Sequence, residues 1–163
     1  MAKRKIRTFG DPVLREKSKK VEKIDQSLMA LISDMEDSID SGYQPGIGLA
    51  APQIGISKKV IIINFDEKIN VFINPEIEVL DEEKEEDEEG CLSLPGIREQ
   101  VERYKKVRLR AKDVKGKDTE MVAEGMLARI FQHETDHLEG ILFIDRLGKK
   151  KKREVISRIN EMG

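Results

Sequence analysis

The chain has two histidines, His133 and His137, and both fall in one stretch, Phe131-Gln132-His133-Glu134-Thr135-Asp136-His137-Leu138. Positions i and i+4 of an α-helix lie on one face, one turn apart. In a helix, His133 and His137 therefore point two imidazole nitrogens at one cation. Glu134 projects from the adjoining face and can reach a water on that cation. This HExxH pattern reads as two metal ligands plus a general base. HExxH also occurs in helices that bind nothing, so a third ligand decides the matter.

A catalytic site of the zinc type takes three protein ligands and keeps one position open. One HExxH class continues as HxxGxxH, but the place of its third histidine here holds Phe143, which excludes that class. Another class takes a glutamate from a later helix. Glu154 and Glu161 are the candidates after the motif, and both sit in a basic terminal segment with no supporting pattern. The remaining soft ligand is Cys91, the only cysteine. A lone cysteine is more often a small buried hydrophobe than a ligand. Cys91, however, stands between an acidic run and the Pro95-Gly96 turn, where a held thiolate fits better. It completes a Cys-His-His set with water as the fourth ligand. Two rivals stand beside this reading. One is a metallopeptidase using Glu154 or Glu161; the other is a non-enzymatic metal module with a closed, four-ligand site.

The elements that must position these residues follow from periodicity. A helix is expected over about 125–138, with Leu127, Ile130, Phe131 and Leu138 on its apolar side and Gly140 as its stop. An earlier helix is expected over 25–41, capped by Asp25 or Ser27, with Leu28, Leu31, Met35 and Ile39 facing the core and Gly42 ending it. Residues 149–162 carry Val155, Ile159 and Met162 on one stripe and read as a terminal amphipathic helix. The run 60–63 (VIII) is a buried strand, and 71–75 and 77–80 are further strands, with Pro75 forcing a break or an edge position between them. Val107, Leu109 and Ala111 alternate with charged residues, and 114–117 can return the chain to 121–123 as an antiparallel hairpin. The acidic run 81–89 (DEEKEEDEE) is expected to be an exposed loop. Residues 1–24 read as loop and short extended pieces, with a turn at Gly10-Asp11-Pro12. The sum is an α+β fold: short, mostly antiparallel strands around a central HExxH helix, with N-terminal and C-terminal helices.

Length and composition bound the function. At 163 residues the chain is expected to form a single catalytic domain over 1–163. Hydrophobic and charged residues each make up 38%, so the core is lean and the surface heavily charged. A net charge of -2 excludes a whole-molecule polyanion binder, and no DNA partner is expected. No stretch approaches a membrane span. The basic start MAKRKIRTFGDP lacks the apolar run of a signal peptide. One cysteine suits a reducing compartment, so a cytoplasmic location without membrane attachment is expected. The segment GIGLAAPQIG (46–55) lacks the third glycine of a dinucleotide fingerprint and the Gly-Lys-Ser/Thr of a P-loop. It reads as a tight turn offering backbone donors and one amide side chain, Gln53.

Three segments, GIGLAAPQIG (46–55), EGCLSLPG (89–96) and QHETDHLEG (132–140), resemble the three motifs of the peptide deformylases, in that family's order and at similar spacing. The early Gly10-Asp11-Pro12-Val13-Leu14-Arg15 is similar to the family's N-terminal segment, and the chain length fits its compact bacterial form. The resemblance implies removal of the formyl group from the N-terminal formylmethionine of new polypeptides, with release of formate. By motif position it implies that Cys91, His133 and His137 bind the metal, and that Glu134 acts as base and then as acid. It implies that Gln53 and the backbone N–H of Leu92 hold the developing oxyanion, and that Gly48 offers backbone contact to the substrate. Arg98 is a substrate-side candidate, and Glu89 has a supporting role. Ile47, Met126 and Ile130 are candidates for the lining of the implied methionine pocket. Gly46, Gly48 and Leu92 would wall the site closely enough to admit formyl and exclude acetyl. The family implies ferrous iron as the native metal, with zinc, nickel or cobalt as substitutes; the ligand set alone does not distinguish them. The basic run KKKKR (149–153) is a candidate contact to the ribosome.

Overall fold

A computed structural model describes residues 3–39 and 47–162. Five antiparallel strands form one sheet in chain order: β1 (Gly48–Ala50), β2 (Val60–Phe65), β3 (Lys68–Cys91), β4 (Leu94–Lys112) and β5 (Asp118–Glu124). Helix α1 (Gln26–Ser38) precedes the sheet, α2 (Gly125–Leu138) follows it, and α3 (Lys149–Met162) closes the chain. The α+β expectation holds.

The VIII run shows no alternation because both of its faces are covered. Val60 and Ile62 join Leu28, Leu31, Ile32 and Met35 of α1 in one core, while Ile61 and Ile63 join Phe131 and Leu138 of α2 in another. Phe72 meets Phe131 edge to face, with centroids 5.5 Å apart. A third core packs Val155 of α3 and Phe143 against Leu94, Ile97 and Val101 of β4. Asp25 caps α1, its Oδ1 accepting from Leu28 N–H at 2.9 Å. The helix ends at Ser38 with Ile39 as its cap, and the expected stop at 40–42 lies outside the described residues.

One expectation changes. The acidic run 81–89 is not a loop. It is the far half of β3, paired with β4 through Glu85↔Arg103, Asp87↔Val101 and Glu89↔Glu99. Composition marked 81–88 correctly as exposed, whereas Glu89 is buried; backbone pairing does not require apolar side chains. Opposite charges across the ladder, such as Glu88–Arg98 at 2.6 Å and Glu83–Lys105 at 2.9 Å, offset repulsion within the run. Pro75 takes the expected edge position: β2 pairs with β3 only as far as Ile73, although the strand itself runs on. Pro75 sits in a register shift between Ile73 and Glu76, where a missing N–H is tolerated. Asn74 beside it adopts φ 52°, and its carboxamide accepts from Val21 N–H and donates to Val21 C=O, both at 2.8 Å. Among the described residues no helix is long and apolar enough to cross a membrane.

Candidate active site

The HExxH residues lie on the buried side of α2, as the i, i+4 spacing requires. Their ring centroids are 5.1 Å apart. Cys91 stands at the end of β3, just before the two-residue turn Leu92-Ser93 into β4. That turn brings its sulfur to 3.4 Å from His137 Nε2. The candidate ligand atoms of Cys91, His133 and His137 all lie within 4.8 Å of one another, and no other such His/Cys/Asp/Glu cluster occurs among the described residues. Glu154 and Glu161 are outside it. Glu154 is exposed and lies 3.9 Å from Lys151 on its own helix. Phe143, in the place of the third histidine of the other class, stacks on the His133 ring at 6.0 Å.

A thiolate and two imidazoles suit a borderline divalent cation. His133 Nδ1–H donates to the Glu89 carboxylate at Oε1, 2.9 Å away, which directs its Nε2 toward the cluster. Burial disfavours charge on His133, but its contacts with Cys91 and Glu89 outweigh that and raise it well above the ordinary histidine value. Burial and the neighbouring His133 push His137 well below that value, and its buried Nδ1 has no partner. Glu134 is pushed up to about 7, burial being the largest cause, and its buried Oε1 is likewise without a partner. A carboxyl near neutrality, with one buried oxygen unpartnered, is thus placed in the wall of the cavity beside the histidines.

Glu89 is bonded to His133 and to two arginines. Its carboxylate accepts from Arg103 Nε at 2.8 Å, Arg103 Nη2 at 2.9 Å and Arg129 Nη1 at 2.7 Å. Burial works against its charge, yet the hydrogen bonds from Arg103 and His133 prevail and hold it at about 2. Arg103 also donates to Asp136 Oδ2 at 2.6 Å.

Gln53 is buried in the 3-10 turn Ala51–Ile54 that follows β1. Its Oε1 accepts from Ala50 N–H at 2.9 Å, while Nε2 donates to Ser93 Oγ at 3.1 Å and lies 3.5 Å from Cys91 Sγ. One amide N–H is thus aimed at the cluster. The glycine at 48 is there for Glu134: a Cβ at that position would stand 2.6 Å from Glu134 Oε2.

A cavity of about 790 Å³ opens onto this cluster. Ile47, Gly48, Gln53, Cys91, Leu92, Arg98, Met126, Ile130, His133 and Glu134 all line it, whereas His137 lies behind the wall. Met126 is 59% exposed and Ile47 51%, so neither is core. Arg98 reaches the rim paired with Glu88. Gly46 lies outside the described residues.

Sequence reasoning left open whether Arg129, beside the helix face, points in or out, and the structure buries it; it missed Arg103, Asp136 and Ser93, and also Lys3, Arg4, Lys5, Ile6 and Thr8, which line the cavity. The N-terminal segment is stitched to both glycine-bearing motifs, Arg7 N–H to Gln53 C=O at 2.7 Å and Phe9 N–H to Ser93 C=O at 2.9 Å. For Asp136 the signal was its place inside HExxH; for the arginines no local pattern distinguishes a buried guanidinium from a solvated one.

The sequence model of the family described as Polypeptide deformylase matches residues 3–153. A peptide deformylase of Clostridium botulinum is 52% identical over 151 residues, covering 92% of this chain and all of the relative. The crystal structure of a peptide deformylase from Legionella pneumophila matches with a TM-score of 0.89 at 41% identity, over 99% of this chain and 95% of that one. That of the Ehrlichia chaffeensis enzyme in complex with actinonin matches with 0.91 at 34% identity, over 99% and 98%. The match of the family model over residues 3–153 and the 52% identity to the Clostridium botulinum relative show that the chain belongs to the polypeptide deformylase family.

Proposed function

We propose an assignment of roles for the reaction this enzyme performs: removal of the formyl group from the N-terminal formylmethionine of newly made polypeptides, with release of formate. The observation that carries it is the convergence of Cys91, His133 and His137 ligand atoms within 4.8 Å beside Glu134. Those three residues hold a divalent cation, which when bound supplies Lewis acidity and brings the pKa of a coordinated water toward neutrality. Glu134 takes the proton of the attacking water and returns it to the leaving amine. Gln53 Nε2 and Leu92 N–H donate to the oxyanion as it develops on the formyl oxygen. Gly48 leaves room for Glu134 to stand against the formyl carbon. Ile47, Met126 and Ile130 take the methionine side chain, and Arg98 borders the following residues. Glu89 orients His133.

We read residues 1–163 as one catalytic domain working in the cytoplasm, where formylated chains emerge. Ferrous iron is our assignment for the native cation, with zinc, nickel or cobalt able to replace it, on the ground of family kinship. Contact with the ribosome falls to the run 149–153. Lys151 and Lys152 are engaged by Glu99 and Asp145, at 3.0 Å and 2.9 Å. Lys149, Lys150 and Arg153 are exposed and have no ion-pair partner among the described residues. Charge reversal at these three should abolish co-sedimentation with ribosomes; retention would remove that contact.

Formate release from a formyl-Met peptide, by anaerobically prepared protein loaded with iron or nickel, tests the assignment. Cys91→Ala and Glu134→Ala should each abolish it. Retained activity in Cys91→Ala would reinstate a glutamate as third ligand. Equal turnover of formyl and acetyl peptides would refute the narrow acyl site.

A further inference from the structure

Arg129 has no part in these steps, yet it is one of the most tightly held groups in the molecule. It lies one helical turn before His133 on α2 and is 5% exposed. Its Nη1 donates to Glu89 Oε2 and to the Val101 carbonyl, both at 2.7 Å. Its Nη2 donates to the Glu85 carbonyl at 2.8 Å, and the Asp87 carbonyl lies 3.5 Å from Nη1. One side chain of the ligand helix thus grips the backbone of two strands and the carboxylate that orients His133.

Beyond residue 73 the strand it grips has a sheet neighbour on one side only: β2 pairs with β3 over 68–73, and toward Cys91 the strand pairs with β4 alone. Glu85, Glu86, Asp87 and Glu88 are exposed and contribute no apolar side chain to a core. The ladder shifts register between Gly90 and Cys91, directly at the ligand. Arg103, on β4, also links this hairpin to α2 through Asp136 and grips the Glu89 side chain, but its guanidinium makes no bond to the β3 backbone.

We infer that Arg129 is a positioning residue: it pins the 85–91 end of β3 onto α2, so that the Cys91 sulfur and the Glu89–His133 pair stand in one constellation with His137. The inference rests on the three-ligand reading of the cluster. Loss of a group that orients metal ligands typically lowers metal affinity about 10–100-fold.

Wild type, Arg129→Met and Arg129→Lys decide it. Methionine keeps the apolar stem; lysine keeps the charge but cannot reach several acceptors in one plane. Cobalt affinity is read by chelator competition, the cobalt–thiolate absorption band reports ligand geometry, and amide exchange is followed at 85–91 and in α1. The Met variant should bind cobalt about 10–100-fold more weakly with an altered band, and the Lys variant should fall between it and wild type. In both, exchange should quicken at 85–91 and stay unchanged in α1. Wild-type affinity, band and exchange in a folded Met variant would overturn the inference. So would failure of both variants to fold, or faster exchange in α1 as well, because Arg129 would then serve the whole fold. A wild type that binds no cobalt would refute the three-ligand reading itself, a result visible before any substitution is compared.

Discussion

Gly48 has no side chain, and the Glu134 carboxylate stands where a methyl group would be. A Cβ there would meet Glu134 Oε2 at 2.6 Å and Cγ at 2.9 Å. Gly48→Ala should therefore displace the base rather than the substrate. General-base contributions run to about 10²–10⁴-fold, so kcat should fall by roughly 10²-fold with KM little changed. Steady-state kinetics on a formyl-Met peptide read the split. Glu89 makes a second residue-level prediction. Its carboxyl is held at about 2 in the folded chain against an ordinary 4.5. A depressed acid stabilises the fold fully above its unfolded value and loses that contribution as pH falls through its folded one. The difference amounts to about 3 kcal/mol, lost between roughly pH 4.5 and 2. Urea midpoints across that window should fall steeply in wild type and less steeply in Glu89→Gln, which starts from lower stability because Arg103 and Arg129 lose their charged partner.

At the scale of elements, α2 is both core helix and ligand helix, and one side chain shows the double duty. Phe131 is fully buried against Phe72 of β3, two residues before His133. Phe131→Ala should cost about 3–5 kcal/mol in denaturant unfolding, in the range for large core truncations. A loss under 1 kcal/mol would mean that α2 is not seated by this contact. The long β3–β4 hairpin is the complementary element. Its turn delivers Cys91, Leu92 and Ser93 to the cluster, and its outer half carries almost all the acidic run. Pattern recognition saw 81–89 as loop because a strand is ordinarily detected by an apolar face, and this one has none. The opposite strand supplies the missing signal through Arg98, Arg103 and Lys105, 10 or more positions later in the chain.

In the whole molecule, three cores meet around one cluster whose ligands come from a strand end and a helix. A cation that binds only the folded arrangement stabilises it by about 2.7 kcal/mol at 100 times its Kd. For a chain of this size that is roughly 5–10 °C in Tm. Chelation should lower Tm by that amount and readdition restore it, with Cys91→Ala insensitive to both; an unchanged wild-type Tm would speak against a bound cation. The sequence by itself determined the chemistry that is local. His133, Glu134 and His137 share a turn of helix, so their spacing already implies a common face. The single cysteine and the three motifs pointed to Cys91 and Gln53, and periodicity placed all three helices. Only the tertiary structure decided what depends on distant segments meeting: that 81–89 is a strand, that Gly48 makes room for Glu134, and that Arg103 and Arg129 are buried around Glu89. A guanidinium reads the same in a sequence whether water or a carboxylate surrounds it. Which of the two it meets is set by chain folding over 14 and 40 residues, the separations of Arg103 and Arg129 from Glu89.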